Sequence, residues 1–423
     1  MIRKGCTVAC TKRQQGLVLW IIGVGLLFPL FFQLSGRIYN SVHPVIDSGG
    51  IIKQLPLPIS LLACYGGLLL LADRYRQAAL AIKVVAAMVL VMVLSLVLAG
   101  PEIEPRKVVL IIQVLLPMGG LVLGQLIEDK SKVIPKAFLG VLILIVPAQL
   151  IVGWLRGNIG LTHDLHFFSI YQHFQFVPLV FVCSYAYSIS NLWTEYKKVF
   201  YLLTPFMYVY SVASLSLLTM FFLISFISAY SFFQLKRYRK IYAIILAVVM
   251  IGGIQGYYSI MKNFIMTGQS ADNMMTWQYE GKFERINQGK TPANVEDRKG
   301  DWKLYYNGIV ESGKTLILGH PAPFPREVKT SAHNWYLDTA YNFGLISLLP
   351  VILLLIYTLN LLWQGRAEWP PGTLWLAAIV LYLVVVDSNF KVTLRQPYPG
   401  IFTFFMWGML LSNLRRINPK RQS

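Results

Sequence analysis

The sequence predicts an all-α polytopic membrane protein with about twelve transmembrane helices. Of its 423 residues, 56% are hydrophobic and only 13% are charged, about half the charged fraction of a typical soluble domain. The apolar residues fall in runs of about 20, which is the length that crosses a bilayer. A soluble globular enzyme, a disordered chain and a disulfide scaffold are therefore excluded.

The apolar runs define the predicted helices in chain order. The first run begins at Gly16 after four basic residues, and no small-residue cleavage site follows it, so we expect a retained helix rather than a signal peptide. Further runs lie at about 56–72, 79–100, 108–127, 137–155, 174–192, 241–260, 340–362, 373–389 and 400–413. The uncharged stretch 199–233 is too long for one helix, which predicts a short hairpin that turns near Ser211, Ser214 and Ser216.

The distribution of Lys and Arg predicts the orientation. With the N-terminus inside, the seven inner segments hold 21 of these residues and the four short outer segments hold 7. Both termini are therefore expected in the cytoplasm, and the net charge of +19 is attributed to topology and lipid contacts rather than to nucleic acid. The predicted division is transmembrane helices 1–9 in 1–260 (with the hairpin), a long outer loop in 261–338, and helices 10–12 with a basic cytoplasmic tail in 339–423.

The outer loop 261–338 is the segment with room for a polar site. Its first half, 269–293, is polar and predicts an exposed loop. An amphipathic helix on the outer membrane surface is then predicted, with Arg298 on its polar face, because apolar residues recur at helical spacing. The apolar positions are Trp302, Tyr305, Tyr306, Ile309 and Val310.

His333 and Asn334 lie just before the chain re-enters the membrane near residue 340. A histidine there can accept a proton near neutral pH, which suits a general base for a sugar hydroxyl. The nearby cations Arg298, Arg326 and Lys329 are candidates to bind a diphosphate. Structural roles remain open, since an interfacial histidine often only forms hydrogen bonds and basic loop residues often only face solvent.

A second polar segment, 156–175, adds two candidates. Arg156 is a candidate phosphate or lipid contact, and His173 is a candidate to face the same cavity as His333. His163 and His166 leave metal binding as a weaker alternative, but no Cys or Glu completes a ligand set, so neither a metal site nor a cofactor is predicted. The chain has no nucleotide-binding motif.

The stretch from Arg298 to Leu349 resembles the bacterial O-antigen ligase and O-antigen polymerase superfamily. It contains an Arg, a Trp in an amphipathic helix, "ILGHP", and then "AHNWYLDTAYNFGLISLLP". The family pattern is His-Asn-x-x-Leu followed by a Gly and an apolar span, which is matched by His333, Asn334, Leu337 and Gly344. The late outer loop and the uncharged hairpin before it are also similar.

The resemblance implies a metal-independent glycosyltransferase of the bacterial inner membrane. Such an enzyme moves a glycan from undecaprenyl diphosphate to an acceptor hydroxyl on the periplasmic face. The acceptor is the lipid A core for a ligase, another lipid-linked glycan for a polymerase, and a protein hydroxyl for the related oligosaccharyltransferases. By this resemblance His333 would be the general base, and Arg298 would hold the diphosphate.

The chain departs from the family at the tip of the hairpin. The family has a Ser-Arg pair there, but this chain reads "YSVASLSLLTM". The resemblance therefore implies that another cation replaces that Arg, and the candidates are Arg156, Arg326 and Lys329. The alternative from another class is a transporter or flippase for a lipid-linked glycan, which the nearly uncharged spans disfavour.

Overall fold

The computed structural model describes residues 12–33, 56–155, 176–234, 239–266, 279–325, 331–365 and 369–417, and these are mainly helical. The first eight helices are α1 (Lys12–Leu27), α2 (Ile59–Leu70), α3 (Ala79–Leu98), α4 (Pro105–Leu126), α5 (Val133–Leu155), α6 (Val177–Ala213), α7 (Leu217–Gln234) and α8 (Arg239–Met266). The later helices are α9 (Ala293–Ile309), α10 (Gly313–Leu318), α11 (Trp335–Phe343), α12 (Leu349–Gln364), α13 (Pro371–Leu381) and α14 (Pro397–Ile417). Two short strands, β1 (Phe31–Gln33) and β2 (Pro56–Pro58), pair antiparallel.

Several short helical turns connect these elements. Tight 3-10 turns lie at Ala72–Ala78, Leu345–Leu348, Asp387–Asn389 and Thr393–Arg395. Wider π-type turns lie at Glu280–Glu284 and Tyr382–Val386. The turns from Tyr382 to Arg395 place several charged side chains at one end of the helical bundle.

Six helical segments in the described part of the chain are long and apolar enough to cross a membrane. They are Ala72–Leu98, Pro105–Leu126, Val133–Leu155, Ala243–Asn263, Leu345–Gln364 and Pro371–Asn389. Three shorter apolar helices are Gln14–Leu27, Ile59–Leu70 and Leu217–Phe233. These helices support a multi-pass membrane protein, with six candidate spans where twelve were predicted.

One physical reason for the lower count is helix length, because some predicted spans form helices too short to cross a bilayer alone, such as the 12-residue α2. The long α6 consists of two helical parts that meet at Tyr196, where the backbone is non-helical (φ -125°, ψ 32°), so the break expected near Glu195 is present. The connection from α6 to α7 lies at 214–216, within the predicted hairpin, and Leu215 adopts a left-handed φ of 55° there.

Helices α4 and α14 form a close pair at the centre of the bundle. Gly120 and Gly124 of α4 are four residues apart and face α14, where Gly408 lies opposite them. A Cβ atom on Gly124 would lie 2.2 Å from the carbonyl oxygen of Phe405. Small residues at this spacing let membrane helices approach closely, and the contact fixes the position of the turns that lead into α14.

The segment before α9 differs from the predicted exposed loop. Tyr279 and Phe283 are buried, and the Phe283 ring stacks on Tyr258 of α8 with 3.7 Å between centroids. Two aromatic side chains spaced four residues apart on a helical turn give this polar stretch an apolar anchor. The prediction of an exposed loop was therefore wrong for the described residues from Tyr279 to Phe283.

Helix α9 is present, but its buried face is rotated from the predicted one. Tyr305 and Ile309 are buried, whereas Tyr306 and Val310 are 57% and 47% exposed. Arg298 lies about two turns before Tyr305, and it is half-buried on that same side rather than on a solvated face. The prediction of a polar-face position for Arg298 was wrong, because Arg298 is four residues before Trp302 and seven before Tyr305, a helical spacing that places it on their side.

Candidate active site

The predicted general base lies on a rigid loop. His333 is half-buried and adopts a left-handed φ of 49°, an unusual conformation for a residue with a side chain. The next residue, Asn334, caps α11, since its Oδ1 accepts the N–H groups of Tyr336 (2.9 Å) and Leu337 (3.1 Å). Its Nδ2 donates to Oδ1 of Asn389 at 3.2 Å, which ties the loop to the turns before α14.

A buried ion pair fastens the loop to the same turns. The carboxylate of Asp338 pairs with the guanidinium of Arg395, and both side chains are less than 10% exposed. The other carboxylate oxygen of Asp338 accepts the N–H of Ala332 at 3.4 Å. Burial raises the pKa of Asp338, and Arg395 opposes that rise. The pair thus orients the backbone that carries His333.

A cluster of cations lies on and around these turns. Lys391 is buried and its ammonium is 3.2 Å from Oδ1 of Asp387. Arg298 of α9 interacts electrostatically with Asp387 and with Lys391. Burial lowers the pKa of Lys391, while Asp387 raises it. Arg298 also interacts electrostatically with the buried Asp301, so two cations meet two carboxylates here. The excess of positive charge, which suits an anionic ligand, depends on a third cation, Lys282.

Lys282 brings a third cation to the tip of the hairpin. Its Nζ donates to the carbonyl oxygen of Leu215 at 2.8 Å. Burial, together with repulsion from Arg298 and Lys391, lowers the pKa of Lys282 to about 7. The hairpin tip, which has no Arg of its own, thus receives a cation from the segment before α9.

Aromatic stacking and a buried lysine hold the segment between α9 and α11 against the bundle. The ring of His320 stacks on Tyr341 with 4.1 Å between centroids, and its Nε2 lies 2.8 Å from the carbonyl oxygen of Gly308. Lys107 of α4 is 1% exposed and donates to the carbonyl oxygen of His320 at 2.8 Å. Gly344 is required where α10 meets α11, because a Cβ there would lie 1.8 Å from the carbonyl oxygen of Ile317.

No family model matches this chain, and no curated protein matches it. The chemistry assigned to the site therefore rests on its own residues and their geometry.

Three of the predicted site residues lie in the described part of the chain, and all three belong to this end of the bundle. Asn334 contacts the turns before α14 directly, His333 precedes it, and Arg298 approaches the turns from α9. The other four predicted residues lie outside the described residues: Arg156, His173, Arg326 and Lys329. The same is true of His163 and His166, the weaker metal alternative.

Sequence reasoning missed five charged residues of the site. They are Lys282, Asp338, Asp387, Lys391 and Arg395. One signal was present: "VDSNFKVTLR" follows an apolar span and places Asp387 and Lys391 four residues apart at its end. Ionisable residues at such a position are costly to bury and commonly functional. Lys282 carried no such signal, because only the folded chain brings it to the hairpin tip.

The arrangement offers two chemical capabilities at one end of the bundle. The half-buried imidazole of His333 is a group that can take a proton from a hydroxyl. Cations from three separate elements are groups that can stabilise a polyanion whose charge increases as it leaves. The rigid support of both groups is what a transfer reaction requires of its catalytic residues.

Proposed function

We propose that this protein is a bacterial inner-membrane glycosyltransferase that moves a glycan from undecaprenyl diphosphate to an acceptor hydroxyl on the periplasmic face. The ligase reaction, with the lipid A core as acceptor, is the leading form. The observation that carries the proposal is that the loop bearing His333 is bonded to the turns that bear Lys391 and Arg395. A base and a cation cluster on one framework match this chemistry.

The proposed reaction is a single displacement at the anomeric carbon. The acceptor oxygen forms a bond to that carbon while the bond from the carbon to the diphosphate oxygen breaks. His333 takes the proton of the acceptor hydroxyl, and the electron pair of the broken bond leaves with the diphosphate. Arg298, Lys391 and Lys282 stabilise the added negative charge, so the reaction needs no metal in this proposal.

Two other functions are tested in the same experiment. A polymerase would use the same base and donor site, with a second lipid-linked glycan as acceptor. A transporter for a lipid-linked glycan would need no leaving-group site. The bonds between the loop of His333 and the turns that bear Lys391 and Arg395 favour an enzyme, because transfer needs a base and leaving-group cations on one framework.

The test is the surface-glycan ladder of a strain that lacks the gene, complemented with the wild type, His333→Ala or His333→Asn. Asn tolerates a left-handed backbone, so His333→Asn removes the base at little structural cost. Lys299→Ala is the control, because Lys299 is exposed on α9 next to Arg298. We expect both His333 variants to insert in the membrane and lose transfer, while Lys299→Ala retains it.

The ladder also separates the alternatives. Bare lipid A core, with long glycans left on undecaprenyl diphosphate, indicates a ligase. Cores that carry a single repeat indicate a polymerase. A normal ladder with His333→Asn contradicts the general-base role, and an unchanged ladder in the deletion strain contradicts both transfer functions.

A further inference from the structure

A polar cavity of about 500 Å³ lies at the opposite end of the bundle from His333. Gln125 and Glu128, at the far end of α4, contribute to its lining. Gln125 is 18 residues along α4 from Lys107, which corresponds to about 27 Å of helix. The cavity therefore shares no residue with the candidate active site, and its role is independent of the proposed transfer reaction.

The lining carries more positive than negative charge. Three arginines and one carboxylate line the cavity, namely Arg76, Arg415, Arg416 and Glu128. Arg416 is paired with Glu128 at 3.3 Å and donates to the carbonyl oxygen of Ile127 at 3.4 Å. This leaves Arg76 and Arg415 in excess within the described part of the chain.

Neither of the two excess arginines has a carboxylate partner among the described residues. Arg76 is exposed at the rim of the cavity. The guanidinium of Arg415 lies over the ring of Tyr357, 5.8 Å from its centroid, and this contact leaves the edge of the guanidinium available for hydrogen bonds. Two guanidinium groups that face one cavity suit the bidentate recognition of phosphate.

A buried donor in the lining also lacks a partner. Gln125 is 1% exposed, and its Oε1 accepts the N–H of Ala81 at 3.4 Å. Its Nε2 is buried and has no acceptor among the described residues. A buried N–H group without an acceptor is unfavourable, so a ligand oxygen in this cavity would satisfy it.

The helix dipoles at this cavity oppose the binding of an anion. Helices α4, α12 and α14 end near this cavity, and their terminal carbonyl groups favour cations. This effect is equivalent to a fractional charge at each helix end and is reduced by the bond from Arg416 to Ile127. The full charges of Arg76 and Arg415 therefore make the electrostatic potential in the cavity positive.

We propose that this cavity binds the phosphate-bearing head group of an anionic membrane phospholipid. The cavity lies where α12 and α14 end, and the outer flank of α12 exposes apolar side chains that suit contact with acyl chains, including Leu353 and Ile356 at 61% and 56%. Basic pockets between transmembrane helices are known to hold such head groups. A soluble phosphate compound shares the recognition chemistry, and the experiment separates the two sources.

The experiment uses the full-length protein in nanodiscs of phosphatidylcholine with increasing phosphatidylglycerol. Bound phosphatidylglycerol is quantified by native mass spectrometry for the wild type and for Arg76→Gln/Arg415→Gln. We expect each lost arginine to weaken the affinity about fivefold, or about 25-fold together. The control is Arg74→Gln/Lys198→Gln, which removes the same charge from residues that do not line the cavity.

The outcomes are distinct. Selective loss of phosphatidylglycerol in the double variant, with retention in the control, supports the proposal. Equal affinity of the wild type for both lipids, or equal loss in the control, overturns it. If inorganic phosphate raises the Tm of the detergent-solubilised protein and phosphatidylglycerol raises it no further, the lipid assignment is overturned. If the double variant fails to fold, Arg76→Gln alone, at an exposed position, provides the same comparison.

Discussion

The ion pair between Asp338 and Arg395 gives the sharpest test of how the loop that carries His333 is held. Replacing Asp338 with Leu leaves the Arg395 charge buried at 9% side-chain exposure without its carboxylate. Removing one partner of a buried pair typically costs about 3–5 kcal/mol. The substitution also removes the acceptor for the N–H of Ala332. That loss adds less to the free-energy cost than the lost ion pair does, because this hydrogen bond is long, at 3.4 Å.

The free-energy cost converts into a shift of the melting temperature. An unfolding entropy of about 2.1 cal/mol/K per residue gives roughly 0.9 kcal/mol/K for 423 residues. Asp338→Leu should therefore lower the Tm by about 3–6 °C. The double variant Asp338→Leu/Arg395→Met should recover most of that loss, because replacing a buried pair with apolar residues is often neutral.

The assay is thermal unfolding of the purified protein in detergent, followed by tryptophan fluorescence. The control is Glu104→Gln, which breaks the contact with Arg106 at 2.7 Å between partly exposed side chains and should cost less than about 1 kcal/mol. If Asp338→Leu melts within a degree of Glu104→Gln, or if the double variant is no more stable than the single one, the pair does not hold the loop as we infer.

Two further predictions concern the donor site and the helix pair. Since burial and neighbouring cations lower the pKa of Lys282 to about 7, its protonated fraction rises about tenfold from pH 8 to pH 6. The KM for the proposed diphosphate donor should therefore fall as the pH falls, and Lys282→Arg should remove this dependence. A pH-independent KM in the wild type would contradict the proposed role of Lys282. Gly124→Ala should destabilise the protein by about 1–3 kcal/mol through the clash with Phe405. Gly140→Ala in α5, which has open space around it, is the matched control and should not lower the Tm.

The segment from Tyr279 to Gly344 shows why part of the site was open to prediction and part was not. His333 and Asn334 were recognised because they lie next to each other in a short pattern before an apolar run. Arg298 was recognised as a candidate, but its face on α9 was assigned wrongly, although its spacing from Trp302 and Tyr305 places it on their side. Lys282 was not recognised because its polar surroundings predict an exposed loop, and only the structure shows that the neighbouring Phe283 stacks on Tyr258.

The sequence by itself determined the class of this protein. Long apolar runs are favourable only inside a bilayer, and local spacing is enough to place a helix or a histidine motif. The tertiary structure decided which charges meet. More than 100 residues separate Lys282 from Lys391 in the sequence, and Arg298 lies between them. Asp338 pairs with Arg395, which is 57 residues further along the chain. Pairings of this kind depend on how helices pack, which hydrophobic periodicity does not encode.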